Sequence, residues 1–289
     1  MRVHVTGGSG FLGTHVVPLL VAAGHEVTAL ARSAAAAAKV TAAGAAAIPG
    51  DLDDPGSLDA AFADSGATAL VNLASLGFGH APAIVAAAEE AGMTRGVFVS
   101  TTAVETTLES RSKAVRLAAE DTVRASTLDW TILRPTMIYG AAGDRNMARL
   151  LRLVRTAPVV PLPGGGRRMQ QPVHVDDLAA AVVAALTAPA AVGQVYDIAG
   201  PEPLSLRQVV LAAGDAVGRR PRLVDLPLAP AIGLARAYER VAPHPRLKAE
   251  QLQRLAEDKV FDITPARRDL GYSPRSFALG IREEAGAPA

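Results

Sequence analysis

Three glycines, Gly7, Gly10 and Gly13, stand three residues apart in "HVTGGSGFLGTHVVPLL", between an apolar strand-like run and an apolar helix-like run. That spacing suits a pyrophosphate. Gly7 permits a tight turn, Gly10 lets the backbone approach the anion, and Gly13 lets the next helix pack close to the strand. Backbone amides at the helix N-terminus then face the negative charge. A strand before the glycines and a helix after them are what the motif requires, and an ordinary glycine-rich turn does not need them. Thr6, Phe11 and Leu12 border the same turn and are taken with it as cofactor-binding. A second pair is Glu109 and Lys113 in "LESRSKAVRLAAE", four residues apart at the start of an amphipathic helix. Its plainest chemistry is a surface ion pair worth about 0.2–0.5 kcal/mol. The six histidines are scattered without metal-ligand spacing, so no metal is expected.

Charge bears on which dinucleotide is bound. The second strand-like run, "EVTALARS", ends in Arg32 and Ser33 with no carboxylate to grip the ribose hydroxyls of NAD. A guanidinium suits a 2′-phosphate better than a bare diol, so NADP is expected ahead of NAD. The plainer alternative for Arg32 is a solvated residue at a strand end.

The elements that must hold these groups alternate along the first half. Strands are expected at residues 2–6, 26–31, 46–49, 69–73, 96–100 and 130–134. Helices are expected at 11–23, 33–43, 55–63, 81–91 and 110–125, with the alanine tract from Ala34 to Ala38 read as a surface helix. After Tyr139 the alternation fails. "VVPLPGGGRRMQQP" reads as a Pro/Gly-rich hairpin, residues 175–187 as a helix opened by Asp176 and Asp177, and "GQVYDIAG" as a further strand. The tail from Pro201 reads as helical, without a new βαβ pattern. The expectation is an α/β fold: a Rossmann-type, doubly wound, mostly parallel sheet with a small C-terminal substrate lobe completing a cleft. Residues 1–200 would form the dinucleotide-binding domain, with an excursion around 140–175 toward the lobe, and residues 201–289 the mainly helical lobe.

Composition narrows the partners. With 29 Lys and Arg against 28 Asp and Glu the net charge is +1, which gives no reason to expect nucleic acid or an acidic membrane. The 49% hydrophobic fraction is inflated by alanine, and no run approaches the ~20 apolar residues that span a bilayer. The absence of cysteine excludes disulfide and thiolate chemistry, and "MRVHVTGGSG" carries no signal-peptide pattern. A cytoplasmic monomer or homodimer acting on a small molecule is expected.

The TGxxGxxG spacing resembles the short-chain dehydrogenase/reductase superfamily, and further segments carry the resemblance along nearly the whole chain. "PGDLDD" looks like the turn after the family's third strand, which implies that Asp51 and Leu52 contact adenine. "LVNLAS" looks like the fourth strand passing the cofactor, with Leu73, Ala74 and Ser75 at its end. "VFVSTTAV" looks like the fifth strand, with Ser100 near the reaction centre, and "DWTILRPTMIYG" like the sixth, with Pro135 near the nicotinamide. "QPVHVDDLAAAV" and "FDITPARRDLGYSPRSF" are similar to the extended, epimerase/dehydratase-like branch, while the length suits the short atypical branch equally well. In the family a tyrosine works as acid or base on the substrate oxygen, a lysine binds the ribose and lowers the tyrosine's pKa, and a serine or threonine holds the oxygen.

On that resemblance Thr102 matches the hydroxyl position and Lys113 the lysine, whereas Glu109 stands where the tyrosine belongs. Lys113 is assigned the ribose, and Glu109 the bland ion-pair role. Tyr139 is a possible substitute proton donor, with packing between the lobes as its alternative. His174 is read as a hydrogen-bonded loop anchor, and Asp144, Arg145 and Asn146 as capping and solvent-exposed residues that start a helix. Arg167 and Arg168 are read as surface residues of the hairpin, the alternative being an anion-binding loop for a phosphorylated substrate. The implied function is NAD(P)-dependent hydride transfer to or from a small or medium organic substrate. A nucleotide-sugar epimerase or dehydratase, or a non-catalytic redox sensor, is the alternative.

Overall fold

A computed structural model describes residues 1–286 except 109, 142, 145, 242–252 and 254–256. Glu109 and Arg145 therefore lie outside the described residues. Contacts group the chain into two units. The first comprises Met1–Thr136, Val175–Ile198 and Asp262–Ser273, and the second Met137–His174, Ala199–Phe261 and Pro274–Ala289.

In the first unit the alternation expected from sequence is present as β1 (Arg2–Thr6), α1 (Gly13–Ala22), β2 (Glu26–Ala31), α2 (Ala34–Ala42), β3 (Ala46–Pro49), α3 (Pro55–Ser65), β4 (Ala69–Asn72), α4 (Ala81–Glu90), β5 (Arg95–Val99), α5 (Arg111–Arg124) and β6 (Asp129–Pro135). Helix Val175–Thr187 and strand Gln194–Ile198 follow. The seven strands lie in the order Gln194–Ile198, β6, β5, β4, β1, β2, β3, and every pair is parallel. This is the Rossmann-type doubly wound sheet. Strand order reverses between β1 and β4, and ligands of such sheets bind at that crevice, outside the carboxyl ends of the strands.

The reasons are local. Strands buried on both faces read as near-continuous apolar runs, and all four residues of β4 are buried. Helix α4 buries Ala81, Ile84, Val85 and Ala88, the spacing of one helical face. Helix α3 starts with Asp54 accepting from the Ser57 amide and Pro55 in its first turn, and it stops at Gly66 in the left-handed region, φ +53°. The alanine tract forms the mostly exposed α2, which buries only Val40. Leu58, Phe62, Leu70, Ile84, Phe98 and Ile132 belong to one apolar core of this unit.

The second unit holds helices Met147–Thr156, Leu206–Ala216 and Phe277–Gly286 around Tyr139, Leu151, Val154, Leu162, Val209 and Phe277. Here one expectation is corrected. Residues 159–172 are not a hairpin. Val159–Pro163 pairs in parallel with Arg222–Leu226, and Met169–Gln170 pairs antiparallel with Leu204–Ser205. Pro161 and Pro163 fall at positions whose amides would face away from Arg222–Leu226, so the ladder tolerates them, and Gly164, Gly165 and Gly166 all take positive φ (62°, 71° and 65°). That run swings the chain away instead of folding it back on itself. The tail is likewise not purely helical, since it supplies Leu204–Ser205 and Arg222–Leu226 as strands. Among the described residues no helix is long and apolar enough to cross a membrane.

His4 is the polar exception in the centre of β1. It is fully buried, its ring lies edge-on to Phe62 at 4.8 Å, and its Nδ1 is 2.9 Å from the Thr28 hydroxyl. Burial pushes its imidazole down to about 4. The folded state then binds fewer protons than the unfolded state between pH 6.5 and 4. The stabilising neutral form is fully present above pH 6.5, and its advantage is lost as pH falls toward 4, by up to about 3 kcal/mol at 1.36 kcal/mol per pH unit. The excess stability of the native chain over His4→Asn should shrink by about that amount between pH 7 and pH 4. Urea unfolding at both pH values measures it, and a pH-independent difference would refute the assignment.

Candidate functional site

The glycine turn has the geometry that its spacing predicts. Gly7 takes φ +75°, and a Cβ there would come 2.7 Å from the Ala74 amide nitrogen. The Gly10 amide donates to the Gly7 carbonyl at 3.0 Å, and the Thr14 amide to the Gly10 carbonyl at 3.0 Å. Gly10 is exposed, and a Cβ there would meet only the Gly7 carbonyl at 3.1 Å. Gly13 is buried, and a Cβ there would overlap the carbonyl oxygens of Gly7 and Gly8. Helix α1 therefore starts against the turn, with its positive end toward it. Leu12 is buried, and Phe11 is half-buried with its ring 5.9 Å from that of His15. His15 Nδ1 in turn lies 2.6 Å from an Asp176 carboxylate oxygen, which ties α1 to helix Val175–Thr187.

The turn opens into a cleft of about 680 Å³. Its walls bring together Gly7 and Gly10 from the turn, Arg32 from the end of β2, Asp51 and Leu52 after β3, and Leu73, Ala74 and Ser75 after β4. An adjoining hollow of about 460 Å³ shares Arg32 and Asp51 and adds Ser33. Ser33 caps α2 by accepting from the Ala36 amide at 3.2 Å. Ser9, Asp53, Phe78 and His80 also line the cleft, and sequence reasoning missed them. Thr6 is fully buried and does not present its hydroxyl to the cleft. It donates to the Asn72 side-chain oxygen at 2.6 Å, and the Asn72 amide donates to the Ala74 carbonyl at 3.1 Å. Thr6 thus fixes the β4 turn from behind.

Ser100, Thr102, Lys113 and Pro135 gather at the ends of β5 and β6 and the start of α5. Thr102 is buried at the head of a 3-10 turn, and its hydroxyl donates to the Pro135 carbonyl at 3.3 Å. Ser110 caps α5 by accepting from the Lys113 amide at 3.2 Å, and Lys113 Nζ donates to the Thr106 carbonyl at 2.9 Å. The Ser100 hydroxyl donates to Glu120 at 2.6 Å. Glu120 is a hub that sequence did not reveal: it is fully buried and also accepts from Arg134 Nη2 at 2.6 Å, Arg134 Nε at 3.0 Å and Arg124 Nη2 at 2.8 Å. Burial alone would raise its pKa. Hydrogen bonds from Arg134 and Ser100, and the charges of Arg134 and Arg124, outweigh burial and hold the carboxyl below its ordinary range. Arg134 also donates to Glu105 at 2.8 Å. Asp197, opposite Arg134 in the strand register, is pushed up to about 6 by burial and the Glu105 charge, against the pull of Arg134.

Tyr139 and His174 belong to the second unit. Tyr139 is buried, with ring centroids 5.1 Å from Phe277 and 5.3 Å from His174. His174 is buried too, and the positive-φ Gly140 leaves room for its ring. The Asp144 carboxylate accepts from the amides of Asn146, Met147 and Ala148 and so opens helix Met147–Thr156. Asn146 makes no side-chain cap bond. Arg168 pairs with Asp258 at 3.0 Å, and Arg167 is exposed.

A family described as NAD(P)H-binding matches residues 7–189. The chain is 30% identical to the 2-alkyl-3-oxoalkanoate reductase of Stenotrophomonas maltophilia, with 98% of each chain covered. It is also 30% identical to the NAD(P)H azoreductase of Xenophilus azovorans, covering 78% of this chain and 77% of that one. Among solved structures, the UDP-glucose 4-epimerase of Thermus thermophilus in complex with NAD superposes with a TM-score of 0.74 at 23% identity, over 99% of this chain and 98% of that one. At that identity the likeness concerns the fold.

The two glycines make separable predictions. Gly10→Val should abolish dinucleotide binding while disturbing thermal unfolding far less than Gly13→Ala, because a Cβ there meets only the Gly7 carbonyl, at 3.1 Å. Gly13→Ala should cost about 2–3 kcal/mol of stability, because its Cβ overlaps backbone that cannot move aside. Calorimetric titration with NADP and NAD, beside thermal melts of both variants, separates the two effects. Undiminished binding by Gly10→Val would remove the turn from the cofactor site.

Proposed function

The chain belongs to the NAD(P)H-binding family of the short-chain dehydrogenase/reductase superfamily and is an NAD(P)-dependent oxidoreductase, and we propose that it uses NADP to reduce the carbonyl group of a small or medium organic substrate. The observation that carries this reading is the cradle at the head of α1. Gly7 and Gly10 line a cleft at the strand-order reversal, and a Cβ at Gly7 would overlap the Ala74 backbone that forms its opposite wall. Arg32 stands on the same cleft at the end of β2, beside the α2 N-terminus capped by Ser33, where a 2′-phosphate would be met by a guanidinium and a helix dipole.

The bound nicotinamide would supply the hydride. Lys113 holds the ribose hydroxyls, and the Thr102 hydroxyl leaves the Pro135 carbonyl to hold the substrate oxygen. Water supplies the proton. The Ser100 hydroxyl is committed to Glu120, so its part is to fix the end of β5, with Pro135 closing the same corner from β6. Tyr139 is assigned to packing rather than proton transfer, since its ring is buried against Phe277 and His174. The second unit is assigned the role of substrate lobe. Two named relatives, a 2-alkyl-3-oxoalkanoate reductase and a ketoreductase from Stigmatella aurantiaca, support a carbonyl as the reduced group. Oxidation of NADPH by the native chain across a panel of ketones and aldehydes tests the reading. Absence of turnover with every carbonyl, beside intact NADPH binding, would sink it.

Two substitutions test the cofactor side. Arg32→Asp removes a phosphate partner and supplies a carboxylate for the ribose, so the ratio of NADP to NAD dissociation constants should shift toward NAD by about tenfold, equivalent to about 1.4 kcal/mol. An unchanged ratio would mean that Arg32 points only to solvent. Lys113→Ala should weaken both cofactors by about tenfold if the ammonium holds the ribose. Native affinity in that variant would remove Lys113 from the ribose site.

A further inference from the structure

The cleft has a rim that its glycine turn and strand ends do not explain. Phe78 lies on that rim and is 77% exposed, whereas Leu76, two residues earlier on the same 3-10 turn, is 3% exposed. The turn is fixed from several sides. The Gly77 amide donates to the Ser75 hydroxyl at 3.2 Å, and Leu76 packs with Ala81 and Ala119. The Arg116 guanidinium backs Gly77 so closely that a Cβ there would lie 3.0 Å from it. Gly79, at φ +86°, ends the turn in a conformation that other residues avoid. A benzyl group is thus held out on an anchored turn, on the wall of a cleft, with most of its apolar area uncovered.

Two residues further on, His80 Nε2 lies 2.9 Å from an Asp53 carboxylate oxygen. That bond joins the β4–α4 connection to the β3–α3 connection, so both walls of the cleft are tied at this end. The rings of Phe78 and His80 lie 6.3 Å apart and are tilted by 51°.

The half of a dinucleotide that reaches this rim follows from topology. The pyrophosphate belongs at the head of α1, and strand order reverses between β1 and β4. One half must then run over β2 and β3 and the other over β5 and β6. The ribose recognised at the end of β2 is that of the adenosine. Phe78 shares its cleft with Leu30, Arg32 and Leu52, from β2 and the loop after β3, so the base within its reach is adenine. An aromatic ring beside a purine offers stacking that needs no hydrogen-bond match.

We infer that Phe78 covers the adenine of the bound dinucleotide, and that the His80–Asp53 hydrogen bond holds the two loops at the separation that a purine against Phe78 requires. Phe78 is a binding residue, and His80 and Asp53 are positioning residues. The inference rests on dinucleotide binding and is independent of the preference for NADP.

The probe is ADP, which lacks both the nicotinamide and the 2′-phosphate, so neither Arg32 nor Lys113 decides the outcome. Calorimetric titration of Phe78→Ala should show ADP binding weakened by about tenfold, the scale of one base–aromatic stack. Phe78→Trp should bind ADP at least as well as the native chain. His80→Gln and Asp53→Asn should each weaken ADP by about threefold or more, and the double variant no further than either alone, because the two act as one link. Native ADP affinity in Phe78→Ala, an equal loss in Phe78→Trp, or a native chain that does not bind ADP would overturn the adenine assignment. Additive losses, or none, in the His80 and Asp53 variants would overturn the positioning role. Thermal melts of every variant verify that affinity is compared between folded proteins.

Discussion

No side chain fits between the head of α1 and the carbonyls of Gly7 and Gly8. A Cβ at Gly13 would overlap both oxygens, so the helix can start where it does only because residue 13 is glycine. The rest of the cleft inherits its position from that contact. With α1 seated on the turn, its positive end addresses the space above Gly10, and the wall formed by Leu73, Ala74 and Ser75 closes against Gly7. The same helix is held at His15 by Asp176 from helix Val175–Thr187, a segment 161 residues away in sequence. The proposed anion site is thus made of backbone and helix dipole, and the parts that fix the turn lie far apart in the chain.

Two buried polar clusters do for the strand ends what the glycines do for the helix. Thr6 and Asn72 join β1 to β4, and Asn72 passes the constraint on to the Ala74 carbonyl. Glu120 joins α5 to β5 through Ser100 and to β6 through Arg134. A lone buried carboxylate would be costly, and removing one partner of such a pair typically costs about 3–5 kcal/mol. Glu120 is acceptable because four donor groups surround its two oxygens. Asp197 shows the converse. It shares a neighbourhood with Arg134, but burial, and then the charges of Glu105 and Glu120, outweigh that guanidinium, so its carboxyl is raised while that of Glu120 is lowered.

What could be read from sequence was what local spacing encodes. The glycine turn, the strand and helix alternation as far as β6, and the surface character of α2 each depend on neighbours within a few residues. The gathering of Arg32, Asp51, Leu52 and Leu73–Ser75 on one cleft was legible only through family resemblance, because it needs the strand order. Glu120 and Arg134 lie 14 residues apart on different elements, and no spacing rule announces such a pair. The segment 159–172 misled because prolines and glycines mark a turn without naming the partner strand, and Val159–Pro163 pairs with a strand 63 residues further on. Phe78 carried a signal that went unused: an aromatic between two glycines, just after a strand of the expected sheet, has little reason to be buried.

The missing tyrosine bears on how the proposed reduction must be organised. A positioned general acid contributes typically 10²–10⁴-fold, so a reductase that draws its proton from water forgoes about that factor unless charge stabilises the developing oxyanion. On the proposed assignment Thr102 is the group for that task, with Lys113 on the neighbouring ribose. Thr102 starts the 3-10 turn after β5, and Lys113, on α5, is tied back by its ammonium to Thr106 at the end of that turn. The proposed hold of Lys113 on the ribose survives the loss of the tyrosine, because hydrogen bonds to ribose hydroxyls need no proton exchange with a neighbour.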